Sequence, residues 1–312
     1  MAASKPPSKR LSAEETRSGF VALVGRPNAG KSTLANAVVG TKVAITSDTP
    51  QTTRHRLRAV LDRDDAQVVL VDTPGLHKPH DALGEELNRS ALKSLEDVDV
   101  VAMLVDARAK IGGGDRWVAE HVAKARGAKK VLVLTKADVA TEQQVMSQLA
   151  AARKLVDFDD EVVVSAIEGF NVDGFVETVI RYLPMGPRWF PRDMPTDQPL
   201  EVMVAEFIRE KILRKTHDEV PHAVGVAIDD ITYDDKKDLW RIWAVIYVER
   251  DSQKGIIIGK GGEALKATGI EAREDLERLL GAKVYLNLTV KVKKDWRRDS
   301  SQIRRFGYGE GG

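Results

Sequence analysis

The chain alternates short, wholly apolar runs with longer segments of mixed polarity. Phe20–Val24, Val68–Val71, Val100–Val105, Val131–Leu134 and Val162–Val164 contain no polar position to turn toward water. A strand that is apolar on both faces belongs in a sheet covered on both sides. Between these runs lie helix-length stretches such as Thr33–Val39, Arg116–Ala125 and Glu142–Leu155. Strand and helix in alternation predict an α/β domain with a doubly wound, mostly parallel sheet, whose ligands bind at the carboxyl ends of the strands.

The pattern changes after residue 183. Five prolines between Pro184 and Pro199 predict a semi-rigid connector that is neither helix nor sheet. Beyond it, Glu201–Lys215 has Val204, Phe207, Ile208 and Ile212 at helical spacing. Ala223–Ile231 and Leu239–Val248 read as strands joined by the acidic turn Asp234–Asp238, followed by a helix over Glu263–Leu280 and a strand over Val284–Val292. The predicted organisation is a polar, disordered extension over residues 1–17, a first domain over 18–183, the connector over 184–199, an α+β domain over 200–295 and a basic tail over 296–312.

Composition adds a few exclusions. A length of 312 residues, 43% hydrophobic and 30% charged, suits two globular domains. The absence of cysteine removes disulfides and thiolate metal sites. With no apolar run of membrane-span length and no signal-like h-region, the expectation is a cytoplasmic protein. The net charge of +1 hides an asymmetry, because Lys283–Arg305 carries eight basic residues and two acidic ones.

The candidate chemistry sits where strands end. Gly25-Arg26-Pro27-Asn28-Ala29-Gly30-Lys31-Ser32 has the form G-x-x-x-x-G-K-S between a strand and a helix that starts near Thr33. Glycines let such a loop wrap a polyphosphate while N–H groups at the helix N-terminus point at the anion. Lys31 would reach the β/γ-phosphates and Ser32 would ligate Mg²⁺. The polar stretch Ser47–His55 stands where a nucleotide switch would lie, with Gln51, Thr52, Thr53, Arg54 and His55 as its candidates. Thr52 and Thr53 both suit the metal-facing role, and Thr53 is preferred. Asp72-Thr73-Pro74-Gly75 follows the second strand; Asp72 can hold Mg²⁺ through water, and Gly75 can donate its N–H to a γ-phosphate. Lys31, Thr53 and Gly75 are therefore the catalytic candidates. In Thr135-Lys136-Ala137-Asp138, the Asp138 carboxylate can accept from N1–H and the 2-amino group of guanine, a pair of donors that adenine lacks. Ser165-Ala166-Ile167 closes the set after the last strand.

At Thr135–Asp138 the chain resembles the translation-factor-like GTPases, whose pattern there is Asn-Lys-x-Asp. Thr135 stands in the asparagine place and is too short for a hydrogen bond to guanine N7. Ser165–Ile167 resembles the family's last guanine motif, in which a backbone N–H meets the base oxygen. Leu76 stands where Ras-like GTPases carry the glutamine that orients water, and no in-cis arginine finger stands out, so slow turnover is expected. The resemblance gives Asn28 a K⁺ ion to hold where a finger's charge would lie; otherwise Asn28 only shapes the loop.

Gly259-Lys260-Gly261-Gly262, set between an Ile-rich segment and a helix, resembles the loop of a type II KH domain in the order α-β-β-α-α-β. There the glycines let the loop clamp a nucleic-acid backbone, and Lys260 adds charge. Lys291, Lys293, Lys294, Arg297 and Arg298 supply an electrostatic footprint, with Trp296, Phe306 and Tyr308 as expected stacking partners for bases.

Residues 19–308 as a whole resemble the Era-like GTPases, in Pro50–His55, Asp72–His77, Asp193–Pro199, Glu219–His222 and the KH loop. That resemblance implies GTP/GDP, Mg²⁺ and K⁺ as ligands, and a monomer that binds the 3′ end of 16S rRNA and assists its processing and 30S subunit assembly. It also implies a weak peripheral association with the inner face of the cell membrane. The alternative is a GTP-regulated module whose KH-like domain binds a protein or membrane surface, with RNA incidental.

Overall fold

The computed structural model describes residues 16–76, 79 and 81–308. The first domain runs β1 (Arg17–Gly25), α1 (Lys31–Val39), β2 (Leu57–Asp62), β3 (Ala66–Asp72), α2 (Ala82–Lys93), β4 (Val100–Asp106), α3 (Gly113–Lys124), β5 (Lys129–Thr135), α4 (Glu142–Ala152), β6 (Asp160–Val163) and α5 (Val172–Tyr182). Its sheet has the order β2-β3-β1-β4-β5-β6, parallel throughout except for the antiparallel pair β2–β3. Alternate residues of each central strand face opposite layers. Val21, Leu23 and Leu70 pack under α1 and α5, whereas Ala22, Val24 and Met103 pack against α2, α3 and α4.

The second domain runs α6 (Leu200–Lys215), α7 (Val220–Ala223), β7 (Gly225–Asp234), β8 (Leu239–Val248), α8 (Asp251–Ile258), α9 (Glu263–Leu280) and β9 (Lys283–Val292), and a short α10 (Ser300–Arg305) follows. Its sheet has the order β7-β8-β9, with β7–β8 antiparallel and β8–β9 parallel. One face buries Ile242, Ala244, Ile246 and Val248 against Val204, Ile208, Ala272 and Leu276 of α6 and α9. Among the described residues no helix is long and apolar enough to cross a membrane.

Two expectations need correction, those for the N-terminal extension and for the basic tail. Residues 1–15 of the expected extension, like His77 and residues 309–312, lie outside the described residues, but Thr16 is buried and Arg17 opens β1. The proline-rich connector forms neither helix nor strand and is bound along the first domain. Gln67 accepts the N–H groups of Trp189 and Phe190 at 2.8 and 2.9 Å, and Val60 donates to the Pro195 carbonyl at 2.9 Å. Prolines lack a donor but keep their carbonyls, so a sheet edge can still hold them.

The basic tail is also part of the fold. Trp296, Ile303, Phe306 and Tyr308 are buried against Val245 and Tyr247 on the second face of the β7-β8-β9 sheet and against Leu83 and Leu87 of α2. Trp296 donates its indole N–H to the Ala223 carbonyl at 2.9 Å. These aromatics fill an interdomain core and are closed to stacking on bases.

Candidate nucleotide and RNA sites

The loop Gly25–Ser32 leaves β1 and enters α1 with Gly30 in the left-handed region at φ 90°. That conformation suits glycine, because a side chain there strains the backbone. Gly75 is equally constrained, since a Cβ on it would lie 2.7 Å from Cα of Pro27. The switch glycine thus packs directly on the loop.

Lys31 is buried, and its ammonium donates to the Arg26 carbonyl at 3.1 Å. Burial pulls its pKa down to about 8, against the opposing pull of the Asp72 carboxylate. Ser32 donates to Asp72 Oδ2 at 2.6 Å, and its oxygen lies 2.8 Å from Thr53 Oγ1. Asp72 is fully buried, burial raises its pKa, and its Oδ1 has no hydrogen-bond partner. Two hydroxyls and a carboxylate with a spare buried oxygen form an all-oxygen donor set, the kind that Mg²⁺ accepts. The two threonines separate cleanly. Thr52 gives its hydroxyl to the Thr49 carbonyl at 2.6 Å, beside Ser47 Oγ at 2.7 Å, while Thr53 faces Ser32.

The other loop residues have distinct partners. Asn28, at φ 62°, donates to the Asp48 carbonyl at 2.5 Å, tying the loop to the switch segment. Arg26 turns away to Asp115 at 3.0 Å. Thr33 lines the same cleft, and the Ala29 carbonyl accepts from Thr135 at 2.8 Å. Thr73 donates to the Leu23 carbonyl, and Leu76 is buried in the α2–α4 core and cannot orient water. Pro74 joins these two within the segment that follows β3.

At the far end of the cleft, Lys136 adopts φ 59° and pairs with Asp106 at 2.8 Å. Asp138 accepts from Ser165 Oγ at 2.6 Å, which aims the carboxylate. Ala166 follows, and the Ile167 side chain is 74% exposed.

Arg54 and His55 do not face the cleft. Arg54 is buried and donates to the carbonyls of Val224, His222 and Pro221 at 2.6, 3.1 and 3.3 Å. His55 lies 3.6 Å from Glu206, with its ring 4.9 Å from that of Tyr308. Burial pushes its pKa down, with Glu206 opposing and Arg209 reinforcing that shift. Both side chains join the switch segment to the second domain and stand apart from the nucleotide cleft. Gln51, at φ 63°, lines the cleft.

In the second domain, Gly259, Gly261 and Gly262 have φ of 73°, 61° and 86°. A Cβ on Gly259 would lie 2.7 Å from Ala264 Cβ, so glycine there lets α8 and α9 converge. Lys260 projects from the loop, exposed. A groove beside it is lined by Leu265, Lys266, Ile270 and Arg273 of α9 and by Tyr285 and Leu286 of β9. These groove residues were not singled out from sequence, because an amphipathic helix gives no sign of which stripe faces a ligand. Lys291, Lys294 and Arg298 are exposed and Lys293 is partly so. Arg297 is committed elsewhere, bridging Glu249 at 2.8 Å and Asp81 at 3.4 Å.

Residues 20–136 match the family described as 50S ribosome-binding GTPase, and residues 219–297 match the KH domain. The chain is 50% identical over 297 residues to GTPase Era of Mycobacterium avium (strain 104), covering 94% of this chain and 99% of that protein. The chain belongs to the Era family of GTPases. Similarity to solved structures is equally extensive for this Era-family GTPase. It superposes with a TM-score of 0.90 on an Aquifex aeolicus Era variant bound to GDP and AlF₄⁻, at 39% identity over 94% of this chain and all (100%) of that one. It matches with the same TM-score of 0.90 an Era crystallised with MgGDPNP and nucleotides 1506–1542 of 16S ribosomal RNA, at 39% identity over 94% of this chain and 99% of that one.

Proposed function

We propose that this Era-family GTPase is a GTP-hydrolysing switch that loads its KH domain onto the 3′ end of 16S rRNA and assists rRNA processing and 30S subunit assembly. The observation that carries the reading is the convergence of Ser32, Thr53 and the unpaired oxygen of Asp72 beneath the phosphate loop, in a chain whose switch segment is bonded to the KH domain.

The residues divide the work. Gly30, Lys31 and the N–H groups at the start of α1 bind and orient the polyphosphate, and the Gly75 N–H meets the γ-phosphate. Asp138 selects guanine, with Ser165 holding it in place and Lys136 paired with Asp106. Ser32 and Thr53 present hydroxyls to Mg²⁺, and Asp72 holds it through water. When bound, Mg²⁺ would supply positive charge to offset the negative charge that develops on the γ-phosphoryl group. Leu76 supplies no water-orienting group, and Asn28 would help hold a K⁺ ion whose charge would stand in for an arginine finger.

On the RNA side, the loop Gly259–Gly262 clamps the backbone, and Lys291, Lys293, Lys294 and Arg298 add phosphate contacts. The protein acts as a cytoplasmic monomer, and the same basic surface gives it a weak affinity for the inner face of the membrane.

The test is binding of the purified protein to a 3′-terminal 16S rRNA segment, with a GTP analogue and with GDP, across a salt series. Salt-dependent binding that is tighter in one nucleotide state is expected. Binding indifferent to salt and nucleotide would hand the KH-like domain to a protein or membrane partner.

A further inference from the structure

The chemistry of the phosphate loop is tied to a side chain outside the GTPase domain. Arg209 of α6 is fully buried, and its guanidinium donates to the Thr52 carbonyl. Glu206, one turn earlier, accepts from Arg209 Nε at 2.8 Å and from Nη2 at 2.5 Å. This fork fixes the direction of the guanidinium. Thr52 immediately precedes Thr53, whose hydroxyl meets Ser32 at 2.8 Å.

The start of the same segment is held by the same helix. The Thr46 N–H donates to Glu210 Oε1 at 2.9 Å, and Lys42 pairs with Glu210 Oε2 at 2.5 Å. Glu210 is itself buried and braced by Arg214 at 3.0 Å. Residues 42–52 are thus gripped from α6 at both ends. The second grip lies next to Thr53, whose hydroxyl meets Ser32.

We propose that Arg209, a KH-domain side chain, is a positioning residue for hydrolysis: by fixing the Thr52 carbonyl it sets the peptide that carries Thr53 and holds its hydroxyl against Ser32. The inference rests on the placement of Thr53 opposite Mg²⁺ proposed above. It goes further in making the rate of the GTPase domain depend on a residue that never touches the nucleotide. A peptide plane released from its carbonyl anchor can rotate and carry the next side chain by an ångström or more. Misplacement on that scale costs on the order of 100-fold in rate. GDP, which has no γ-phosphate, leaves Thr53 without its role, so its affinity is insensitive to the anchor.

The experiment is single-turnover GTP hydrolysis in the full-length protein, measured with GDP affinity, Mg²⁺ dependence and far-UV circular dichroism, for Arg209→Met, Arg209→Lys, Glu206→Asp and Thr53→Ala. Arg209→Met should lower the rate about 10- to 100-fold and raise the Mg²⁺ concentration for half-maximal rate, with GDP affinity unchanged. Arg209→Lys keeps one donor and should recover part of the loss. Glu206→Asp retains Arg209 but withdraws its fork by one methylene, and should give an intermediate rate even if the methionine variant folds poorly. Folded Glu206→Asp and Arg209→Lys proteins with wild-type rate and Mg²⁺ dependence would overturn the proposal. If Thr53→Ala loses activity in that same experiment, the metal reading stands and only the role of Arg209 falls. If Thr53→Ala turns over normally, the metal reading itself is wrong.

Discussion

Thr135 donates its hydroxyl to the carbonyl of Ala29, 2.8 Å away, and so stitches the end of β5 to the middle of the phosphate loop. The family's asparagine is missing at this position, but its place is filled by a residue that braces the loop. Removing the hydroxyl should therefore weaken nucleotide binding through the loop. Thr135→Val keeps the shape and leaves the Ala29 carbonyl unpaired, at a cost of about 1–3 kcal/mol. Calorimetric titration should show weaker GDP and GTP binding by a similar factor, with guanine selectivity retained. Unchanged affinity would mean that the loop is held by other contacts.

Guanine selectivity itself should move with Asp138. Its carboxylate accepts from Ser165 at 2.6 Å, and in the proposed pocket it would accept from two base donors. Asp138→Asn offers a donor where the 2-amino group sits, and xanthine carries an oxygen there. Competition binding should show preference turning from GDP to XDP, and a variant that still prefers GDP would remove Asp138 from the base pocket.

The lowered pKa of Lys31 makes nucleotide binding a proton-linked event. Without nucleotide the ammonium titrates near pH 8, because burial disfavours its charge. A bound polyphosphate favours the charged form and raises that value, so binding takes up a proton at pH 8 to 9. Affinity should fall as pH rises past about 8, and titrations in buffers of different ionisation enthalpy should register the uptake. Buffer-independent heats at pH 8.5 would contradict it.

His55 gives a second pH dependence, this time in stability. Its folded pKa lies below the ordinary 6.5 because it is buried. The unfolded chain then binds more protons in the window below 6.5, so stability is lost as pH falls through that window and is retained above it. His222 is shifted in the same direction by burial and adds to the slope. Thermal melts at pH 7.5 and 5.8 should show a larger drop for the wild type than for His55→Gln. Equal drops would assign the slope to other groups.

The parts of the fold legible in sequence are those where one local pattern settles the matter. β1, β3, β4 and β5 are buried on both faces, so their composition alone marks them. β2 is not legible from its own sequence, because Arg58 interrupts its apolar run and faces outward, and it gains its place from pairing with β3. The phosphate loop, Asp72 and Asp138 were legible because their chemistry dictates spacing. Spacing does not separate Thr52 from Thr53; their contacts do, since Thr52 gives its hydroxyl to the Thr49 carbonyl beside Ser47 while Thr53 faces Ser32. Trp296 and Phe306, set in a basic run, suggest an exposed surface, yet the surfaces that bury them come from Leu83, Leu87 and Tyr247. Arg209 and Glu210 lie in a helix that reads as ordinarily amphipathic, where charged residues raise no flag, and the partners that bury them lie some 160 residues away.

The last prediction concerns the RNA clamp, where the structure separates variants that test the loop from variants that break it. Gly259 is unsuitable, since a side chain there collides with Ala264 and disturbs the junction of α8 and α9. Gly261 has open space around a Cβ, and its φ of 61° is a region that aspartate visits more readily than most residues. Lys260→Asp with Gly261→Asp should therefore leave the domain folded while placing two carboxylates against the RNA backbone. Like charges a few ångströms apart should cost several kcal/mol, and RNA binding should fall by about two orders of magnitude or more. GTP hydrolysis without RNA should stay close to wild type, because Lys260 and Gly261 are exposed and stand apart from the α6 residues that hold the switch segment. Neutralising Lys293, Lys294 and Arg298, all solvent-accessible, should instead weaken binding across sequences and flatten its salt dependence by about 0.7 per lost contact. Arg297 behaves differently. Paired with Glu249 and Asp81, it should lower stability when changed to glutamine and barely alter the salt slope. RNA affinity measured against salt for these three variants decides the matter: a loop double mutant that binds RNA normally would remove the KH loop as the clamp.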